Sequence, residues 1–142
     1  MASEHPEREK PAFYRIWLDE HVRFHDMDAY SHVNNNVIGI YFETARMDWL
    51  ESLHPHGWQT SAHFVLAKNT IHFISELNYP NKIRIGQALL KLGNSSMISC
   101  GGIFLGDQCV ALCESVSVWI GNKSRRPEPI PENIRAALKN KK

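Results

Sequence analysis

The chain has 142 residues, of which 43% are hydrophobic and 22% are charged, and its formal net charge is +1. This length and composition fit one globular domain with its own core, which excludes a disordered chain and argues against two domains. The near balance of 16 basic and 15 acidic residues gives no basis for a nucleic-acid partner, and no apolar stretch is long enough to span a bilayer.

The cysteine content and the N-terminus bear on the compartment. Cys100, Cys109 and Cys113 lie in apolar, strand-like stretches, and an odd number of cysteines cannot form a closed set of bridges. Reduced, buried thiols in a reducing compartment are the simplest interpretation. The N-terminus carries charges of both signs and no apolar core, unlike a secretory signal. The sequence therefore predicts a cytoplasmic location.

The first third of the chain contains a tail, a strand and a loop. Residues 1–11 are polar and are predicted to form a flexible tail, ahead of a single domain over 12–142. Loose alternation of apolar and polar residues over 14–24 predicts a short strand. The polar residues 25–36 include many turn formers and predict a loop.

The clearest helical pattern covers 36–53, where apolar residues recur at helical spacing and form one wide face. Asn34, Asn35 and Asn36 are all suitable N-cap residues, so the start of the helix is marked although its register stays open. Gly39 within the helix costs about 1 kcal/mol relative to alanine. Close approach to a packed neighbour is the expected compensation.

The remainder of the chain is predicted to be mostly β. Turn-forming residues separate four candidate strands, which cover 62–77, 82–92, 97–105 and 109–120. The last two turns are short enough for antiparallel hairpins. A short C-terminal helix is predicted over 132–139, with Pro131 at its start. The fold class is therefore α+β, with one long helix against one antiparallel sheet whose remaining face or edge favours dimer formation.

The residues with chemical potential lie in the loop before the long helix. Asp26, Asp28 and His32 precede a helix N-terminus, which offers unpaired N–H groups and the positive end of the helix dipole. Such donors stabilise charge that develops on a carbonyl oxygen, while a carboxylate attacks the carbonyl or deprotonates a water that does. Acyl transfer fits this combination. Helix capping and a metal site at the same side chains remain alternatives.

The segment 22–36 contains Asp26-Met-Asp28 and His32-Val-Asn-Asn35 and, with 41–46, resembles the hotdog-fold acyl-CoA thioesterases related to 4-hydroxybenzoyl-CoA thioesterase. The likeness extends over about residues 15–138. It implies a curved antiparallel sheet wrapped around one long central α-helix. It also implies an enzyme that hydrolyses the thioester of an acyl-CoA or an acyl-carrier protein, in a homodimer or homotetramer whose sites lie between subunits.

The resemblance also assigns roles to residues. The family's catalytic carboxylate is the second of the pair, which falls on Asp28 as nucleophile or general base. The carbonyl-polarising N–H comes from the first helical turn, near Asn35. The substrate-binding candidates are accordingly His32, Asn34, Asn35 and Asn36.

Other assignments are open. A sister branch of the family carries its carboxylate on the helix, which makes Glu43 a reserve catalytic candidate, although an ion pair with Arg46 is the simpler expectation for it. A compact basic stretch is a candidate for the phosphates of coenzyme A, although solvated charge is the simpler explanation. Its residues are Lys123, Arg125 and Arg126. No cofactor or structural metal is expected. The alternative to an enzyme is a non-catalytic acyl-CoA-binding protein on the same fold.

Overall fold

The computed structural model describes residues 3–140, apart from the side chain of Trp58. Its elements are β1 (Ile16–His21), α1 (Asn35–Leu53), β2 (Ala62–Phe73), β3 (Lys82–Leu92), β4 (Ser96–Leu105), β5 (Gln108–Gly121) and α2 (Glu132–Asn140). All five strands pair antiparallel in one sheet of order β1-β3-β4-β5-β2. The predicted α+β class is confirmed. Within the described residues, no helix is long and apolar enough to cross a membrane.

Helix α1 begins where an asparagine caps it. Asn34 has extended backbone angles (φ −60°, ψ 137°), and its side-chain oxygen accepts a hydrogen bond from the N–H of Asn36 at 2.8 Å. The helix therefore starts at Asn35, one residue before the predicted start. A Cβ placed on Gly39 would meet Cδ1 of Ile71 at 3.6 Å, which is the close neighbour that the sequence predicted.

The inner face of the sheet packs against α1 and forms the main core. Tyr41 and Phe42 lie in one cluster with Ala111 and Cys113 of β5. Val110 is an extra residue in the β4–β5 register, so it joins this helix-facing cluster beside Ala111.

The outer face of the sheet is covered by the N-terminal segment. Tyr14 is 4% exposed and packs with Phe104 and Leu112 of the sheet. Its hydroxyl donates to the carbonyl oxygen of Arg8 at 2.8 Å, and the Arg8 guanidinium lies 2.8 Å from the Glu114 carboxylate. The described part of the predicted tail, residues 3–11, therefore contacts the sheet. Its flexibility stays a prediction, and residues 1–2 lie outside the described residues.

Gly86 and Gly102 are paired across β3 and β4 and form the floor beneath Tyr14. A Cβ on Gly86 would lie 2.5 Å from Cγ of Tyr14, so the tyrosine would have to move. We expect Gly86→Ala to lower the free energy of unfolding by about 1–3 kcal/mol, measured by urea unfolding. Gly39→Ala is the matched control. Its Cβ would meet Ile71 only at ordinary van der Waals distance, so it is expected to raise stability by about 0.5–1 kcal/mol, and equal effects of both changes would contradict the prediction.

Strand β2 forms one edge of the sheet. It ends at Phe73, four residues earlier than predicted, because the N–H groups of Ile74 and Ser75 both turn to the carbonyl oxygen of Val110. Its middle residues, 66–70, are exposed, and an irregularity between Leu66 and Lys68 shifts its register against β5. The edge therefore presents a long, unpaired row of backbone groups.

Candidate functional site

The loop between β1 and α1 is held by its own backbone. Met27 and Val33 form an antiparallel bridge, the N–H of Asp28 donates to the carbonyl of His32 at 2.9 Å, and Ser31 takes a left-handed conformation (φ 67°). The N–H of Asn34 then donates to the carbonyl of Asp26 at 3.0 Å. These bonds fix the loop directly against the start of α1.

The Asp28 carboxylate is partly buried, with 23% of the side chain exposed. Its Oδ1 accepts a hydrogen bond from the N–H of Tyr30 at 2.8 Å, and its Oδ2 lies 3.7 Å from Nδ1 of His32. The Tyr30 ring stacks with the imidazole of His32 at a centroid distance of 6.4 Å. One carboxylate oxygen is therefore tied to the loop, while the other faces the histidine.

The first turn of α1 leaves one amide without a partner. The N–H of Asn36 bonds to the Asn34 side chain, and those of Val37 and Ile38 bond to the Asn34 carbonyl at 2.9 and 3.2 Å. Within residues 3–140, the N–H of Asn35 donates no hydrogen bond. This N–H, at the positive end of the helix dipole, is available to a ligand.

A cleft of about 600 Å³ opens beside this amide. Residues from the start of α1, the end of β2 and β5 line it, among them His32, Asn35, Phe73, Glu76 and Ala111. Asp28 reaches the cleft through His32, which both lines the cleft and faces the carboxylate. Three predicted site residues are thus close together: His32 and Asn35 line the cleft, and the Asp28 carboxylate faces His32.

Asp26 has a different environment from Asp28. Its Oδ2 accepts hydrogen bonds from the Tyr41 hydroxyl at 2.5 Å and from the N–H of Arg23 at 2.9 Å. Burial raises the pKa of the Tyr41 hydroxyl, and the bond to Asp26 raises that pKa further. Asp26 therefore joins the loop to α1, and Asp28 is the carboxylate that faces His32.

Two sets of predicted residues lie away from this cleft. Glu43 is exposed on α1 and, within the described residues, forms no ion pair with Arg46; that expectation was wrong, because Arg46 is 6% exposed and turns toward the sheet. The basic residues Lys123, Arg125 and Arg126 are exposed and follow the end of β5 that is remote from the cleft. Ala111, which lines the cleft, lies ten residues before Gly121 at that end, about 33 Å along the strand.

Sequence reasoning missed one charged neighbour of the site. The Glu76 carboxylate lies 3.8 Å from Nε2 of His32, so the imidazole stands between two carboxylates. Glu76 follows β2 and is 44 residues from His32 in the chain. Only the tertiary fold brings the two together, and no local pattern signals the contact.

The three cysteines lie outside the site and are buried. Burial raises the pKa of Cys100 and of Cys109 to about 12, from an ordinary value of 9.0, and it also raises the pKa of Cys113. Because the thiolate is the reactive form, we expect the native protein to react negligibly with a thiol reagent at pH 8. Denaturant should expose all three thiols to the same reagent. Fast labelling of the native protein would contradict this prediction.

Comparisons with solved structures find the same fold in several proteins, thioesterases among them. The PA5185 protein from Pseudomonas aeruginosa strain PAO1 is 27% identical, with a TM-score of 0.86, covering 95% of this chain and 94% of that chain. A thioesterase from Thermus thermophilus, solved in complex with coenzyme A and Zn, is also 27% identical, with a TM-score of 0.81 and coverage of 89% and 93%. YbaW, a probable thioesterase from Escherichia coli, is 26% identical, with a TM-score of 0.78 and coverage of 89% and 98%.

Comparison with curated protein sequences gives no significant match. The family model described as the thioesterase-like superfamily matches residues 22–138, which include the Asp28 loop, α1 and the whole of strands β2 to β5. The arrangement of one antiparallel sheet around a long helix is the hotdog arrangement that the resemblance implied. This chain therefore belongs to the thioesterase-like superfamily and has its hotdog fold.

Proposed function

We propose that the protein hydrolyses an acyl-CoA or acyl-carrier-protein thioester to a free acid and a thiol. Asp28 acts as nucleophile or general base, and the N–H of Asn35 holds the carbonyl oxygen. One observation carries the proposal: Asn35, whose N–H has no acceptor, lines a cleft together with His32, and the Asp28 carboxylate lies against that histidine. The complex of the Thermus thermophilus thioesterase with coenzyme A supports a ligand of this type.

Each group has a defined part in this reaction. Negative charge develops on the carbonyl oxygen when the carbonyl carbon is attacked, and the dipole and N–H at the start of α1 stabilise it. As a general base, Asp28 takes a proton from the attacking water and returns it to the thiolate that leaves when the carbon–sulfur bond breaks. As a nucleophile, Asp28 forms an acyl anhydride while the thiolate leaves, and water then hydrolyses the anhydride, supplying the proton of the thiol. The His32 imidazole, between Asp28 and the cleft, is placed to orient the carboxylate and the substrate.

A thiol-release assay with a panel of acyl-CoAs tests the proposal, with acyl-carrier-protein thioesters in parallel. Release of free thiol supports an enzyme. Tight binding of acyl-CoA without release would instead favour the non-catalytic acyl-CoA-binding protein. Hydrolysis in ¹⁸O-labelled water under single-turnover conditions separates the two routes. When water opens an Asp28–acyl anhydride at the aspartyl carbon, the label enters Asp28 and the first product acid stays unlabelled, whereas direct attack of water on the thioester labels the acid.

We also infer that the protein forms a homodimer through the free edge of β2. The apolar side chains of Leu66 and Phe73 are 44% and 38% exposed there, and edge strands of this length are normally covered or paired. Antiparallel pairing with the same strand of a second copy satisfies the unpaired backbone groups under two-fold symmetry. We expect sedimentation velocity to give a dimer or a multiple of it. An active monomer would contradict this assembly.

Three further assignments stay proposals: the location, the reserve carboxylate and the phosphate-binding residues. The three free cysteines support a reducing compartment, and we propose a cytoplasmic location on that ground. Glu43 is kept as the reserve carboxylate, because it is exposed on α1. The basic stretch Lys123 to Arg126 is kept for the phosphates of coenzyme A, and in a two-fold dimer it would have to act from the partner subunit.

A further inference from the structure

A second cleft, of about 550 Å³, opens at the other end of α1. Apolar side chains from three elements form most of its lining, and Glu51, His54, Gly57 and His63 complete it. The apolar residues are Met47, Leu50, Leu53, Phe64 and Ile134. Ile134 is 3% exposed and belongs to the floor, whereas Met47 is 53% exposed at the rim. This lining suits an uncharged, aliphatic group, whose burial from water is favourable by about 0.8 kcal/mol per methylene.

Within one subunit the second cleft is far from the candidate site. Fifteen residues of α1 separate Asn35 from Leu50, which is about 22 Å along the helix axis. Short and medium-length acyl chains cannot span such a distance. The apolar cleft and the carbonyl site of the same subunit are therefore poorly placed to share one substrate.

Pairing of two β2 edges changes this relation. The exposed run 66–70 has Lys68 at its centre. An antiparallel pair centred on Lys68 places Phe73, five residues beyond it, opposite the partner subunit's His63, five residues before it, at an interstrand spacing of about 4.8 Å. Phe73 lines the candidate site cleft, and His63 lines the apolar cleft. The two clefts thus come together across the subunit boundary.

We propose that the apolar cleft of each subunit holds the acyl chain of a thioester whose carbonyl is bound at the Asp28 site of the other subunit. The substrates are then thioesters of aliphatic acids that are long enough to cross the boundary. This inference rests on the proposed thioesterase function and on the β2-paired dimer, and it adds the class of acyl group and the subunit that selects it.

The first test measures chain-length preference. Met47→Trp fills the rim of the cleft with a large side chain at an exposed position. We expect it to lower the ratio of kcat/KM for dodecanoyl-CoA to that for butanoyl-CoA by about tenfold or more. Thr44→Trp is the matched control: it lies one turn earlier, is exposed and does not line the cleft, so the ratio should stay at the wild-type value.

The second test asks which subunit supplies the cleft. Dimers with one Asp28→Asn subunit and one Met47→Trp subunit are isolated through two different affinity tags. If the cleft serves the other subunit's site, one complete site remains, and the dodecanoyl-CoA rate should be about half that of the wild-type dimer. If the cleft serves its own subunit, the mixed dimer keeps only one impaired site, so its rate should be no more than about half that of the Met47→Trp homodimer, and the proposal is overturned.

Failure of this inference is separable from failure of the proposed function. If no thioester is hydrolysed, the function itself is wrong. If Asp28→Asn abolishes hydrolysis while Met47→Trp leaves the chain-length ratio at its wild-type value, the active site stands and the cleft assignment falls.

Discussion

Asp28→Asn is expected to lower kcat for thioester hydrolysis by about 10²–10⁴-fold, the range that a positioned acid–base or nucleophilic group contributes. The substitution is nearly isosteric, and the amide oxygen of asparagine can still accept the hydrogen bond from the N–H of Tyr30. The loop should therefore keep its conformation while the negative charge is lost. Steady-state thiol release, with thermal unfolding of both proteins, measures the effect.

The control for this variant is Asp19→Asn, which removes an exposed carboxylate on β1. We expect it to keep wild-type activity. Loss of a positioned acid–base group lowers the rate by about 100-fold or more. An Asp28 variant that retains more than about a tenth of the wild-type rate would therefore show that Asp28 is not the catalytic carboxylate. Glu43→Gln then becomes the decisive variant, because it removes the reserve carboxylate.

Asn35→Pro is expected to lower kcat by about 10²–10³-fold, the effect of losing one donor to a developing oxyanion. Proline removes only the N–H that has no acceptor among residues 3–140. Asn35 is the first residue of α1, where proline is well tolerated, and the extended backbone of Asn34 suits a residue that precedes proline. The helix should therefore form normally, and the measured loss should be catalytic.

Asn35→Ala is the matched control, because it removes the side chain and keeps the N–H. We expect it to stay within a few-fold of the wild-type rate, with KM measured alongside kcat. Equal losses in the alanine and proline variants would assign the effect to the side chain and would contradict a role for the backbone amide. A large fall in the unfolding temperature of the proline variant alone would show that the helix start had been disturbed.

The elements of this fold were predictable because each one repeats a local period. α1 and β3 to β5 lie within one or two residues of their predicted bounds, since apolar spacing and turn residues fix them locally. The end of β2 was not predictable. Its last predicted residues, 74–77, contain no glycine or proline that would mark a turn, but the chain leaves the strand because two successive amides bond to the carbonyl of Val110 in β5.

The site was predictable only where its parts are neighbours in sequence. Asp28, His32 and Asn35 lie within one short segment, so the loop alone brings them together. Glu76 comes from beyond β2, and its approach to His32 depends on the folded sheet. For Arg46 the sequence predicted a contact that the structure lacks. Its spacing from Glu43 suggested an ion pair on the surface of the helix, whereas its side chain is buried.

The segment that carries Arg8 and Tyr14 has a consequence for higher assembly. It occupies the face of the sheet remote from α1, over Phe104 and Leu112. Two dimers that associated back to back through this face would first have to displace the segment and expose its packed aromatic rings to water. Any tetramer of this protein must therefore form through other surfaces, or its N-terminal segment must first leave the sheet.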